Sequence, residues 1–258
     1  MKAMQFAQFG GPEVLRLADV PRPTAGAGEV VVDIHAAGVN PADWKGRAGL
    51  NENAKNITFP HIPGRDFSGV IAGVGAGVSD FKVGDAVFGV VAVTTESTYC
   101  EAVAIPSGMI GRKPANVSHA EMAAISLGAL TALIALEDTA QVKSGETVLV
   151  HGGAGGVGAM GVQIARHLGA TVIATARGAN RDYVRGLGAS EVIDYAGDDF
   201  TRLGRVCDVV FDTVGGAVQT ESARVLKSGG RLVFVARGEK DVTAPRSEEH
   251  TSELQSRE

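Results

Sequence analysis

The sequence predicts an α/β protein in two parts, a small β-barrel followed by a doubly wound parallel sheet with helices on both faces. From Met1 to Ile110, short β-branched runs such as "EVVVDIHAAGV", "FSGVIAGVGAGV", "DAVFGVVAV" and "CEAVAI" are separated by Gly, Pro, Asp and Asn. That punctuation marks strands joined by tight turns. Around Asn116 the pattern becomes helical, and "SHAEMAAISLGALTALIALED" opens on Ser118 with Glu121 three residues later, the spacing of a capping box. After Gly145, "TVLVHG", "TVIATA", "SEVIDY", "CDVVFDTV" and "RLVFVA" alternate with helical "GVGAMGVQIARHLG", "NRDYVRGLG" and "AVQTESARVLKSGG". Parallel strands need a crossover between them, so this alternation predicts a parallel sheet. The expected domains are residues 1–120 and 121–245, with a polar tail at 246–258.

Composition narrows the function. The chain has 258 residues, 45% of them hydrophobic, which is enough for two cores. Its net charge of -5 is made of scattered charges of both signs. No basic stripe points to nucleic acid and no cationic face to a membrane, so the expected partner is a small molecule. The N-terminus lacks a long apolar core with a small-residue cleavage site, and no continuous apolar run reaches about 18 residues, so the expected location is the cytoplasm. Cys100 and Cys207 lie far apart, which gives neither a disulfide framework nor a CxxC pair and predicts structural thiols. The tail "RSEEHTSELQSRE" has no apolar period and reads as a frayed end. It also resembles a translated sequencing adapter and is set aside from the fold.

The strongest motif lies in "VLVHGGAGGVGAMGVQIARHLG", residues 148–169. Gly153, Gly155 and Gly158 form GxGxxG directly after a strand and at the mouth of a helix. The first glycine is expected to permit the tight turn, the second to let a pyrophosphate approach the backbone, and the third to let helix and strand pack closely. Free amides and the dipole at the helix start then hold the phosphates. The expected ligand is a dinucleotide. At the end of the next strand, where NAD sites carry an acidic residue, the text is "IATARGANR". Thr175 and Ala176 leave room there, while Arg177 and Arg181 offer positive charge to a 2′-phosphate, which favours NADPH. The alternative is that both arginines are solvated helix-start residues.

With these residues in place, the chain resembles the zinc-independent quinone oxidoreductases, the zeta-crystallin-like branch of the medium-chain dehydrogenase/reductases. "GGPEVL", "AAGVNPADWK", "PHIPGRDFSGVIAGVGAGVSDFKVGDAVFG", "GETVLVHGGAGGVGAMGVQIAR", "LGASEVIDY", "DVVFDTVGG" and "LKSGGRLVFVA" carry the likeness, from Met1 to about Ala236. The resemblance implies a GroES-like barrel domain followed by a Rossmann domain, with the cofactor in the cleft between them. It implies that Gly155, Gly156 and Val157 touch the pyrophosphate and that Arg177 and Tyr195 sit near the adenosine phosphate. Thr131, Val214 and Gly215 would line the nicotinamide side, and Val235, in "RLVFVA", joins the cofactor set. Asn40 would face nicotinamide and substrate.

The alcohol dehydrogenase branch resembles this one but places a zinc-ligating Cys after "AAGV" and a His in a "GHE" triplet; here Asn40 and Arg65 stand there. Tetrahedral zinc needs three or four Cys, His or carboxylate ligands, so no metal is expected, and the six single histidines read as ordinary core or surface residues. Without a metal, hydrogen bonds or a proton donor must polarise the acceptor, which suits hydride addition to a quinone, enone or enal. Family members often carry a Tyr shortly after the Asn; this chain has Lys45. That lysine is either an oxyanion donor or a solvated loop residue. Trp44 either walls the substrate pocket or fills the barrel. The resemblance further implies a sixth sheet strand and a return to the barrel, so the chain is expected to be cut short, with the strand that usually forms a homodimer missing. A catalytically idle NADPH-binding protein or fragment is the alternative from another class.

Overall fold

The computed structural model describes residues 1–50, 52–92 and 97–236, and the polar tail at 246–258 lies outside them. The chain divides into two compact units, Met1–Leu127 and Gly128–Glu258. The division falls inside a helix, beyond the expected boundary at residue 120.

The first unit pairs β1 (Lys2–Gln5) with β2 (Arg16–Asp19) antiparallel. Its larger sheet contains β3 (Glu29–Ala37), β4 (Asp66–Val74), β5 (Ala86–Val90), β6 (Ala102–Pro106) and β7 (Ile110–Arg112), in the order β6-β3-β4-β5-β7. Val30 and Val32 of β3 meet Phe67 and Ile71 of β4 and Val87 of β5 in one buried cluster, as a period of two requires. Between β3 and β4, helix α1 (Pro41–Arg47) starts on Asn40. Helix α2 (His119–Leu133) begins with the expected box: the Ser118 amide donates to Glu121 Oε2 at 2.8 Å and the Glu121 amide to Ser118 Oγ at 3.2 Å.

In the second unit, β8 (Thr147–His151), β9 (Thr171–Ala176), β10 (Glu191–Asp194), β11 (Cys207–Asp212) and β12 (Leu226–Phe234) form a wholly parallel sheet in the order β10-β9-β8-β11-β12. Helices α3 (Gly156–His167), α4 (Arg181–Leu187) and α5 (Ala217–Glu221) accompany it. The strands read as continuous apolar runs because both faces are covered. Val148, Val150, Val172, Ala174, Val209 and Phe211 enter one cluster, while the alternating Leu149, Ile173 and Val210 enter another.

Two expectations are corrected. "AVQTESARVLKSGG" is not one helix: α5 ends at Glu221, a 3-10 turn covers Ser222–Arg224, and Leu226 already belongs to β12. The β-branched Val225 and the Gly229–Gly230 pair work against extending that helix. The count of continuous apolar residues also overlooked His119–Thr139, whose 21 residues and mean hydropathy of 1.6 match a membrane span by length and composition. Interspersed Ser126 and Thr131 hid it, and its Ala132, Ala135 and Leu136 are buried in a core cluster. Both cysteines are free thiols: Cys207 is fully buried, with its thiol pushed up to about 11 by that burial, and Cys100 Sγ lies 2.9 Å from the Ser97 carbonyl.

Helix α3 approaches the sheet closely at Gly161, where a Cβ would stand 2.8 Å from the Phe211 ring. Gly161→Ala should therefore cost about 1–3 kcal/mol by overpacking. Adding Phe211→Leu should recover part of that loss, read as coupling in a double-mutant cycle of thermal melts; additive effects would contradict the contact.

Candidate functional site

The glycine loop is built by close backbone approach. β8 ends at His151, Gly152 turns the chain with φ of 72°, and Gly155 caps α3. The Gly153 amide donates to the Thr175 carbonyl at 2.9 Å, and the Gly155 amide to the Gly152 carbonyl at 2.9 Å. A Cβ on Gly158 would stand 2.1 Å from the Gly152 carbonyl oxygen, so this third glycine serves packing as expected. The role assigned to Gly153 needs correcting: the left-handed turn belongs to Gly152. Gly153 is required because a Cβ there would meet Ala174 Cβ at 2.9 Å. At Gly155 a Cβ would meet only the Gly152 carbonyl oxygen, at 3.3 Å, and at Gly156 nothing within 4 Å. The first amides of α3, on Gly156, Val157 and Gly158, have no acceptor within the helix. They form the positive end of its dipole, so the loop has both the clearance and the donors a diphosphate needs.

A cavity of about 430 Å³ opens beside this loop, lined by Gly152, Ala154, Gly155, Ala176, Arg177, Asn180, Tyr195, Thr213 and Val214. It brings together five of the expected residues, Gly155, Ala176, Arg177, Tyr195 and Val214. Arg177 Nε donates to the Tyr195 hydroxyl at 3.0 Å, which aims the guanidinium. Arg181 is not on the lining; it is the first residue of α4, and its Nε is buried without a hydrogen-bond partner among the described residues. Thr175 is corrected from a lining residue to a support. It is 4% exposed, and its hydroxyl accepts from the Gly152 amide at 3.1 Å and meets His151 Nδ1 at 3.2 Å.

The other wall rests on Asp212, a residue the sequence reading missed. Its Oδ1 accepts from the amides of Val214 at 2.8 Å and Gly215 at 3.0 Å. That contact leaves Val214 52% exposed on the cavity and spends the Gly215 amide inside. Burial pushes the Asp212 carboxyl up while these two amides pull it back. Val235, just past β12, donates its amide to the Asp212 carbonyl at 3.0 Å, and Thr131 lies half-buried on α2. Neither is on the lining. The turn "FDTVGG" held a usable signal, since an Asp ahead of glycines commonly accepts from amides two and three residues on.

In the first unit, Asn40 is tied in two directions. Its backbone amide donates to Asp43 Oδ2 at 2.7 Å, and its Nδ2 donates to Asp66 Oδ1 at 2.7 Å. Asp66 is wholly buried and also accepts from the Leu127 amide at 3.1 Å. Burial raises its carboxyl, with the Leu127 amide and the Asn40 side chain acting the other way. The Asn40 side chain also accepts from the Asp43 backbone amide, which completes a capping box at the start of α1. Tyr99, also missed from sequence, donates to Asp43 Oδ2 at 2.9 Å. Burial first, then the Asp43 charge, drives its phenol above the usual range. Lys45 is exposed, with Nζ 5.7 Å from the Trp44 ring centroid, and Trp44 is 45% exposed and so fills no core. Among the described residues, no group of three or more His, Cys, Asp or Glu side chains could hold a metal ion.

Two family models match the chain: the alcohol dehydrogenase GroES-like domain over residues 26–143 and zinc-binding dehydrogenase over residues 156–255. The second match runs into the tail set aside above. An NADPH-dependent alkenal/one oxidoreductase, chloroplastic, from Arabidopsis thaliana is 35% identical; the match covers 90% of this chain and 62% of that protein, so the chain spans less than two thirds of it. The quinone oxidoreductase of Sus scrofa is 35% identical over 91% of this chain and 73% of its own length. Among solved structures, the quinone oxidoreductase from Coxiella burnetii superposes with a TM-score of 0.84 at 38% identity, covering 90% of this chain and 74% of that one. With the fold, the glycine loop and these likenesses agreeing, the chain belongs to the quinone oxidoreductase branch of the medium-chain dehydrogenase/reductases.

Proposed function

We propose that this chain binds NADPH in its second unit and, without a metal, reduces a small quinone or α,β-unsaturated carbonyl. One observation carries the reading. The cavity joins an open helix start at Gly155 and Gly156 to Arg177 at the end of β9, where NAD sites carry a carboxylate for the ribose diol. When bound, the reduced nicotinamide supplies the hydride. The amides of Gly156 and Val157 hold the diphosphate, with Gly153 and Gly158 keeping the loop pressed to the sheet. Arg177, aimed by Tyr195, pairs with the 2′-phosphate, and Arg181 adds positive charge behind it. Thr131, Val214, Gly215 and Val235 shape the nicotinamide side.

Asn40, held by Asp66 through Nδ2 and by the capping box with Asp43, faces nicotinamide or substrate. Lys45 donates to the oxyanion that develops as the conjugated acceptor takes up hydride, a charge small enough for hydrogen bonds to stabilise. Where the alcohol dehydrogenase branch has zinc ligands, Asn40 and Arg65 provide no set that suits a metal.

The decisive experiment is oxidation of NADPH by a panel of simple quinones and enals, with and without chelator. Turnover unaffected by chelator is expected; binding without turnover on any acceptor would favour the idle NADPH-binding protein instead. Gly156→Val should melt like the parent, since its Cβ enters open space, yet bind NADPH at least about tenfold more weakly because that space belongs to the ligand. Unchanged affinity in a fluorescence titration would remove the loop from the site. Replacing Arg177 with Ala should raise the Kd for NADPH about tenfold, the worth of one charge-assisted hydrogen bond. Binding of NADH should hardly change, and equal losses for both coenzymes would refute the 2′-phosphate assignment.

A further inference from the structure

The geometry points to His151 as a positioning residue for the phosphate loop: its neutral ring, carrying its proton on Nε2, relays a one-way chain of hydrogen bonds from the Gly152 amide to helix α5. The inference rests on the dinucleotide reading for its effect on binding, but the chain itself follows from atoms that can only donate or only accept.

The direction is fixed at the far end. Ser222 Oγ lies 2.7 Å from the Val218 carbonyl and 3.1 Å from His151 Nε2. A carbonyl cannot donate, so the single hydroxyl proton of Ser222 goes to Val218, and the contact with the ring requires Nε2 to be the donor. His151 is 1% exposed, and burial holds its ring down to about 4, well below neutral pH. A neutral ring protonated on Nε2 leaves Nδ1 bare. Thr175 Oγ1, 3.2 Å away, must then donate to Nδ1, and its lone pairs accept from the Gly152 amide at 3.1 Å. Each link sets the next, from Gly152 through Thr175, His151 and Ser222 to Val218.

The chain ties together parts that a cofactor would need held in register. Gly152 and Thr213 both line the cavity, and the Thr213 hydroxyl donates to the His151 carbonyl at 2.7 Å. Val218 and Ser222 belong to α5 and its final turn, the segment that follows the Val214–Gly215 corner. His151 is too deeply buried to touch a ligand, so it acts through the backbone of Gly152. Imidazole suits the place because it offers a donor on one edge and an acceptor on the other within one rigid plane, here packed edge-on against Phe200 at 4.6 Å.

Two measurements judge the relay. Nitrogen NMR of the imidazole in the whole protein at neutral pH should show the neutral Nε2–H tautomer; an Nδ1–H tautomer or a charged ring overturns the chain. Thr175→Val, which keeps the shape and removes the hydroxyl, should weaken NADPH binding about tenfold, and Thr175→Ser should recover most of it. Affinity unchanged in Thr175→Val overturns the positioning role. Should that variant fail to fold, Ser222→Ala tests the far end: weaker NADPH binding and a shifted His151 resonance are expected, and the parent's affinity and spectrum would refute the relay. If the parent protein binds no pyridine nucleotide, the proposed function fails, and the tautomer measurement still decides the hydrogen-bond chain.

Discussion

The first turn of α3 lies so close to the Gly152 carbonyl that any side chain at position 158 would collide with backbone, at 2.1 Å. That approach sets the rest of the second unit's candidate site. It fixes the distance between β8 and α3, and so where the uncommitted amides at the helix start are presented. Gly153 in the loop likewise lies against Ala174 and Gly161 in the helix against Phe211, so loop and helix together are seated at three points by missing side chains. Clearance at Gly156 is the reverse case, a glycine beside which nothing sits. A helix start pressed tightly on one side and open on the other is what an anion site at a helix N-terminus requires.

Both units hold their loops with buried carboxylates. Asp212 accepts the Val214 and Gly215 amides, and Asp66 accepts the Leu127 amide and the Asn40 side chain. Burying a carboxylate is unfavourable unless donors replace water, and in each case burial pushes the carboxyl up while the donors oppose it. Such a carboxylate loses its value if the loop moves away, so these turns are rigid at a defined geometry. Neither Asp is placed to exchange a proton with a ligand while its lone pairs are occupied in this way.

What could be read from the sequence was whatever has a period or a fixed spacing. The alternating strands, the parallel sheet they imply, the Ser118–Glu121 box and the helix opening after the glycine loop all followed from local pattern. Less legible was anything decided by a partner distant in sequence. The helical reading of "AVQTESARVLKSGG" failed because β11 recruits Leu226 onward as a strand, a tertiary choice that overrides weak local preference. Thr175 was expected to face a ligand, yet its hydroxyl turns inward to His151, 24 positions earlier. Asp66, Tyr99 and His151 were overlooked because each acts through a bond spanning 23 or more positions, for which a single sequence carries no spacing rule.

The two arginines after β9 show how small a difference in position separates a cavity-lining side chain from one drawn into a helix. Arg177, just past the strand end, lines the cavity and donates to Tyr195, whereas Arg181, one helical turn later, already belongs to α4 and has its Nε buried. Under the proposed function, an exposed guanidinium contributes little to total affinity, since water and salt screen it. The backbone amides at α3 supply the part common to both coenzymes. A side chain whose contribution is small in total but present for only one of two ligands is well suited to choosing between them, because discrimination depends on the difference and not on the sum.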